Sequence, residues 1–357
     1  MFIQHVSARL PAISVNLLEQ PERFNLTSFK AQIYKKFIGI EYVPVAVPGE
    51  METLLEQTVS AAVPIDSRER IKLVVHAHTC PLVGNYGALS MQRVLRRQRL
   101  HNALFVGMCA NRCASVFDAM RLIRQRLQEQ PDALALLVTG ESAVTQELRL
   151  VENTAVMGDA AGAMLFGTRG PGNELLACCS HTYGQYARGV WLEGAPRASY
   201  ETNYPAMMLQ IIQADARTGG DDAGSGALGY SHNVNRKSWI ELARTIDSAT
   251  FPSDAGKHPI SRGTAVGSDM MLNLSHLTST GALEKGDVYL MIAVGLGGSF
   301  GAALFRYWKM MLLCLSGGLR RLSGVILIML RYGWQEKPYS YEQLWQASAL
   351  IAGNTDA

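Results

Sequence analysis

The stretch from Ala103 to Val138 constrains the fold of this chain more than any other. Ala103 to Met108 is a short apolar run of strand length. It gives way to Asn111-Arg112-Cys113-Ala114-Ser115-Val116-Phe117-Asp118-Ala119-Met120. From Val116 the apolar residues recur at Val116, Ala119, Met120, Ile123 and Leu127, while Arg121, Arg124, Arg126 and Gln128 take the other side, which is an amphipathic helix. Pro131 ends it. Ala133 to Val138 is a second apolar run, followed by Thr139-Gly140-Glu141-Ser142. A strand, helix, strand succession of this length predicts an α/β sheet with parallel pairing.

The cysteine in this unit, Cys113, stands where the first strand becomes the helix. A thiol there feels the positive end of the helix dipole, and Arg112 adds a second positive charge, so the thiolate is expected to be favoured at neutral pH. Free cysteines more often pack than react, so a Cys at a helix start is not by itself a nucleophile. Its weight comes from the rest of the chain.

With 357 residues, 48% of them hydrophobic, the chain can bury one large core or two fused halves. A formal charge of +3 without a Lys/Arg run argues against nucleic-acid binding. Cys80, Cys109, Cys113, Cys178, Cys179 and Cys314 show neither metal-ligand nor disulfide-framework spacing, which predicts a reduced, cytoplasmic protein with no metal. The start, Met1 to Pro11, has no signal-peptide pattern.

Elsewhere Met51 to Ala62 is helix-like, and Lys72 to Val75 reads as a buried strand running into His76-Ala77-His78-Thr79-Cys80-Pro81. Polar residues at a strand end suit a ligand-facing edge, and the two histidines are expected to be structural or substrate-lining rather than metal ligands. Met157-Gly158-Asp159-Ala160-Ala161-Gly162-Ala163 reads as a tight packing turn that supports the site. Residues 170 to 203 read as irregular loop with short strands, and Ala206 to Ala216 as a helix. An acidic, Gly-rich connection follows at Gly219 to Gly226. Ser231-His232-Asn233-Val234-Asn235 then puts a second reactive side chain before a helical pattern. The turn Gly263 to Asp269 precedes a helix over Met270 to Leu277. The loop Gly295-Leu296-Gly297-Gly298-Ser299-Phe300-Gly301 joins strands Val288 to Val294 and Ala302 to Tyr307. Without a helix N-terminus after it, that loop is no phosphate cradle and instead brings backbone close to the reacting centre.

These pieces in this order resemble the thiolase-fold condensing enzymes of the ketoacyl-acyl-carrier-protein synthase III family. The residues that carry the resemblance are Cys113-Ala114-Ser115 with Ala119, Gly158 to Ala163, His232-Asn233-Val234-Asn235, the Gly263 turn, and Gly286-Asp287 leading to Gly297-Gly298-Ser299-Phe300-Gly301-Ala302. The resemblance covers about residues 1 to 307. It implies an α/β fold of two similar βαβαβ halves in a layered sandwich, 1–170 with the nucleophile and 171–307 with the histidine, followed by a C-terminal extension, 308–357. It also implies a homodimer, or a heterodimer with a paralogue.

By the same resemblance Cys113 accepts the acyl group and His232 is the paired acid/base, with Asn235 supporting the acceptor side. Cys109 is the rival thiol, but only from Cys113 do Ala114, Ser115 and Ala119 fall at the family's positions. Backbone N–H groups of Cys113 and of Gly297, Gly298 and Ser299 are expected to hold the oxyanion. Acyl-CoA or acyl-carrier protein would be substrates, with no permanently bound cofactor. The chain departs from the family where an Asn is expected after the turn glycine, because Thr264 stands there. Asp269 nearby either completes a Cys, His, Asp arrangement or caps the helix that follows. The expected reaction is Claisen condensation of an acyl thioester in fatty-acid or polyketide-type metabolism. Ester or amide formation by the same acyl-enzyme and a non-catalytic partner subunit are the alternatives. The Arg320-Arg321 pair interrupts the apolar tail before the ~20 residues that span a bilayer, leaving it to be an interfacial or partner-binding helix or a disordered or non-native extension.

Overall fold

The computed structural model describes residues 1–79, 86–143, 149–170, 172–218, 228–231 and 264–308, all within one compact unit, Met1–Met311. The chain begins with β1 (Phe2–Arg9) and β2 (Ser14–Asn16), then α1 (Ser28–Ile33), β3 (Tyr42–Pro44) and α2 (Glu50–Ala62). A βαβαβ unit follows: β4 (Ile71–Ala77), α3 (Tyr86–Arg97), β5 (Leu104–Met108), α4 (Ser115–Glu129) and β6 (Leu134–Glu141). After the short β7 (Leu150–Val151) and β8 (Ala155–Val156) come β9 (Ala160–Gly167), β10 (Asn173–Thr182) and α5 (Gly194–Thr218). The remaining described elements are β11 (Leu228–Ser231), α6 (Asp269–Thr280), β12 (Val288–Gly295) and β13 (Ser299–Arg306).

Among the described residues, nine strands hydrogen-bond in the order β11-β12-β13-β10-β1-β9-β6-β4-β5. The order contains a repeat. From β1 outward, β9 is antiparallel to β1, β6 antiparallel to β9, and β4 parallel to β6. From β10 outward, β13, β12 and β11 repeat these relations. The halves meet where β1 and β10 run antiparallel, with only Phe2 opposite Glu174 and Ile3 opposite Asn173.

The layering follows from which side of each strand is apolar. Alternate residues of a strand face opposite sides. Leu73, Val75, Ala135, Leu137, Met164 and Phe166 of the first half face the same core as Tyr289, Met291, Ala293, Ala303 and Phe305 of the second. Between them lie α4, through Val116, Phe117, Met120 and Ile123, and α6, through Met270, Met271 and Leu274. The intervening residues Val74, Leu136, Val138 and Leu165 face outward onto α2 and α3. Leu290, Ile292, Phe300 and Leu304 likewise face α5, through Met207, Met208 and Ile211. Five layers result, helices, sheet, helices, sheet, helices. Strands covered on both faces must be apolar throughout, which is why Ala133 to Val138 reads as a continuous run.

The expected elements differ from the observed ones mainly between 170 and 203, where β10 and the start of α5 replace the irregular loop. Only alternate residues of β10 are fully buried up to Ala177, and its end, Ser180-His181-Thr182, is polar. In α5, Pro205 lies inside the helix, so helical spacing is legible only after it, in Ala206 to Ala216. The glycine loop is shorter than expected, because Ser299, Phe300 and Gly301 already belong to β13. Residues 308–357 lie, apart from Trp308, outside the described residues. Among the described residues no helix is long and apolar enough to cross a membrane.

Candidate active site

Strand β5 ends at Met108, and the chain turns tightly before α4. The Arg112 N–H donates to the Cys109 carbonyl at 3.1 Å and the Ala114 N–H to the Asn111 carbonyl at 3.0 Å. Arg112 sits in the left-handed region, φ 54°, uncommon for a residue with a side chain and the mark of an over-determined turn. Cys113 follows on the 3-10 turn Arg112–Ala114 and is 8% exposed. The Thr79 hydroxyl, just past β4, donates to its Sγ at 3.6 Å.

Burial pushes the Cys113 thiol up to about 12. Thr79 opposes this, and the carboxylates of Glu141 and Asp269 add to it. The expected preformed thiolate is therefore corrected to a neutral thiol. Desolvation outweighs the helix end, and the Arg112 guanidinium lies on the Thr79 carbonyl, Nη1 to O 3.5 Å. A thiol in this state needs a base at the moment of attack.

Asn111 pins the turn with its whole side chain. Its Nδ2 donates to Asp118 Oδ2 at 2.6 Å, and its Oδ1 accepts from Thr182 at 2.9 Å and Ser299 at 3.3 Å. Ser180 donates to the other Asp118 oxygen at 2.6 Å. Strands β10 and β13 of the second half thus hold the Cys113 turn of the first. Gly295 completes the contact, since a Cβ there would overlap the Asn111 carbonyl oxygen and lie 3.1 Å from the Arg112 Cβ. The close backbone approach expected of the glycine loop is made by Gly295. Gly297 (φ 94°) and Gly298 (φ 75°) turn instead against residues 183 to 187, with the Tyr183 N–H donating to the Gly298 carbonyl at 2.9 Å.

Thr264 and Asp269 form one buried turn. The Thr264 hydroxyl donates to Asp269 Oδ2 at 2.6 Å and the Ala265 N–H to Oδ1 at 2.8 Å. Asp269 is the first residue of α6, whose N-cap is Ser268, and its carboxylate turns back onto the preceding loop rather than capping the helix. The segment Val156 to Asp159 is the template for this turn. The Thr264 N–H donates to the Val156 carbonyl at 3.0 Å and the Gly158 N–H to the Thr264 carbonyl at 2.7 Å. Asp159 anchors the template: fully buried, it accepts from both Arg149 nitrogens at 2.9 and 2.8 Å and from the Ala46 N–H at 2.8 Å. The turn read as a tight packing turn packs Gly158 against Pro44 and hydrogen-bonds to Thr264.

His76 is buried at the end of β4 with Nε2 3.0 Å from the Gly140 carbonyl, and burial pushes its pKa down to about 4. A neutral imidazole beside a carbonyl must donate from Nε2, which makes His76 a structural donor. Among the described residues no group of three or more His, Cys, Asp or Glu is placed to hold a metal. His232 and Asn235 follow β11 in sequence and lie outside the described residues. Sequence reasoning missed Thr79, Glu141, Asn111 and Asp118 as site residues. Only the Asn111 to Asp118 pair, flanking Cys113, carried a readable signal.

No family model matches the sequence, and no curated protein matches it. Solved structures do match. The ChlB3 acyltransferase superposes with a TM-score of 0.70 at 19% identity, covering 87% of this chain and 98% of that one. The 3-oxoacyl-(acyl carrier protein) synthase III of Pseudomonas aeruginosa PAO1 gives 0.68 at 19%, covering 87% and 99%. OleA of Xanthomonas campestris gives 0.68 at 15%, covering 86% and 96%. Repeated halves, five layers and these superpositions together give the chain the thiolase fold of the synthase III condensing enzymes, in a divergent sequence.

Proposed function

We propose that this chain is an acyltransferase of the ketoacyl-synthase-III type, which carries an acyl group as a thioester on Cys113. The observation that carries the reading is the buried thiol on a left-handed turn, gripped by both halves of the fold and hydrogen-bonded at sulfur. A cysteine that only packs needs none of this. Acyl-CoA or acyl-carrier protein is the donor. Sulfur attacks the thioester carbonyl, the Cys113 proton passes to a base, a tetrahedral oxyanion forms, and the donor thiol leaves with a proton. His232 is the proposed base, on the resemblance. The backbone N–H of Cys113 is the proposed oxyanion donor; the Gly297 to Ser299 loop, expected to share this task by the resemblance, turns against residues 183 to 187 instead. A homodimer in a reducing cytoplasm suits this chemistry.

For the acceptor, the resemblance favours a carbon nucleophile and Claisen condensation. One observation favours the second reading, transfer to a hydroxyl or amine without decarboxylation. A hydroxyl carries a single hydrogen, and Thr264 gives it to Asp269 at 2.6 Å, so it has none for an enolate oxygen. The Thr264-Asp269 pair suits orienting a basic imidazole instead.

The test is intact mass spectrometry after incubation with a panel of acyl-CoA and acyl-carrier thioesters. The expected result is an adduct absent in Cys113→Ala. Malonyl-carrier protein and a panel of alcohols and amines are then offered to the adduct. Carbon dioxide release supports condensation, ester or amide product supports the second reading, and failure to form any adduct overturns both.

A further inference from the structure

Thr79 is held at each of its polar groups. Its N–H donates to Glu141 Oε1 at 2.6 Å, its carbonyl faces Arg112 Nη1 at 3.5 Å, and its hydroxyl donates to Cys113 Sγ at 3.6 Å. The two charged side chains come from different elements, Glu141 from the end of β6 and Arg112 from the nucleophile turn, while Thr79 itself is 3% exposed. A residue just past a strand end has no ladder partner to fix its orientation. Here a carboxylate and a guanidinium supply one, with charge-assisted bonds stronger than neutral ones.

We infer that Thr79 is a catalytic hydrogen-bond donor to the Cys113 sulfur and that Glu141 is the positioning residue that aims it. The inference rests on the reading of Cys113 as the nucleophile. During attack the sulfur passes through a thiolate-like state, and a donor already in place stabilises that state without reorganisation. Glu141 acts in two opposed ways. Its negative charge disfavours the thiolate, while its grip on the Thr79 N–H keeps the favourable donor aimed. Among the described residues the other charged group acting on the thiol is Asp269 from α6, while Arg112 reaches the Thr79 carbonyl and His76 and His78 close the strand that delivers Thr79.

The two actions of Glu141 separate by substitution. Glu141→Gln removes the charge but keeps an oxygen for the Thr79 N–H, whereas Glu141→Ala removes both. The experiment measures the pH dependence of Cys113 alkylation by iodoacetamide in the full chain, quantified on the Cys113 peptide. Thr79→Val is expected to slow alkylation at fixed pH by about tenfold and to move the profile to higher pH, the loss of a hydrogen bond to a charged group. Thr79→Ser restores it. The Thr79→Val penalty persists in Glu141→Gln and collapses in Glu141→Ala, because an unaimed hydroxyl has nothing to lose. Full persistence of the penalty in Glu141→Ala, or no effect of Thr79→Val, overturns the inference. Alkylation needs no acyl donor, so this result stands apart from the acyl-adduct test. Failure of that test sinks the acyltransferase reading and leaves the alkylation profile to judge Thr79 and Glu141.

Discussion

A thiol pushed up to about 12 and an imidazole pushed down to about 4 express one cause, the desolvation of a charge. For His76 the consequence is a pH dependence of stability. Its folded-state pKa lies below the ordinary 6.5, so below that pH the unfolded chain binds a proton that the folded one refuses. Stability is full above about pH 6.5 and falls as the pH drops towards about 4, by about 3 kcal/mol for this group. His76→Gln is expected to remove most of that acid-side loss, read by urea unfolding at pH 7 and pH 4.5. A larger acid loss in the variant would refute the assignment. At this scale the place of Cys113 was legible, because a strand, a turn and a helix stripe surround it in sequence. Its protonation was not. Helix dipole and Arg112 can be read from neighbours, but the burial that outweighs them comes from β12, β13 and the turn before α6, far along the chain.

Elements buried on both faces announced themselves, and α4 buries the five apolar positions its spacing named. The glycine loop was legible as a close approach, but not which glycine makes it, since that depends on a contact from Gly295 to Asn111 across the middle layer. Gly295→Ala should therefore displace the Cys113 turn. The expected result is Cys113 acylation slowed at least about tenfold, with a stability loss of about 1–3 kcal/mol and unchanged circular dichroism. Unchanged acylation would show that the turn does not depend on this contact. β10 and the first part of α5 were illegible because neither advertises its period: one ends in polar residues and the other crosses a proline.

At the scale of the molecule, the two-half architecture was legible only through the resemblance, since no stretch of sequence repeats visibly. Its geometry explains why so much of the site comes from the second half. The Arg149-Asp159 pair ties the small lobe around Phe24, Tyr34 and Val43 to the template of the Thr264 turn, and both partners are buried. Removing one partner leaves the other charge uncompensated. Asp159→Asn is expected to lower stability by about 3–5 kcal/mol, seen as a shifted urea midpoint, whereas exposed pairs such as Lys30-Glu152 should contribute under about 1 kcal/mol. A negligible midpoint shift in Asp159→Asn would sink this account.

The seam between the halves has a consequence for synthesis. β1 precedes both of its sheet partners in the chain, yet it lies in mid-sheet with Phe2 opposite Gly167 on one side and Glu174 on the other. A growing chain carries this strand without partners until β9 and β10 have left the ribosome. Through that interval its free edges are open to other nascent chains, which makes β1 the place where overproduction would first turn into aggregation.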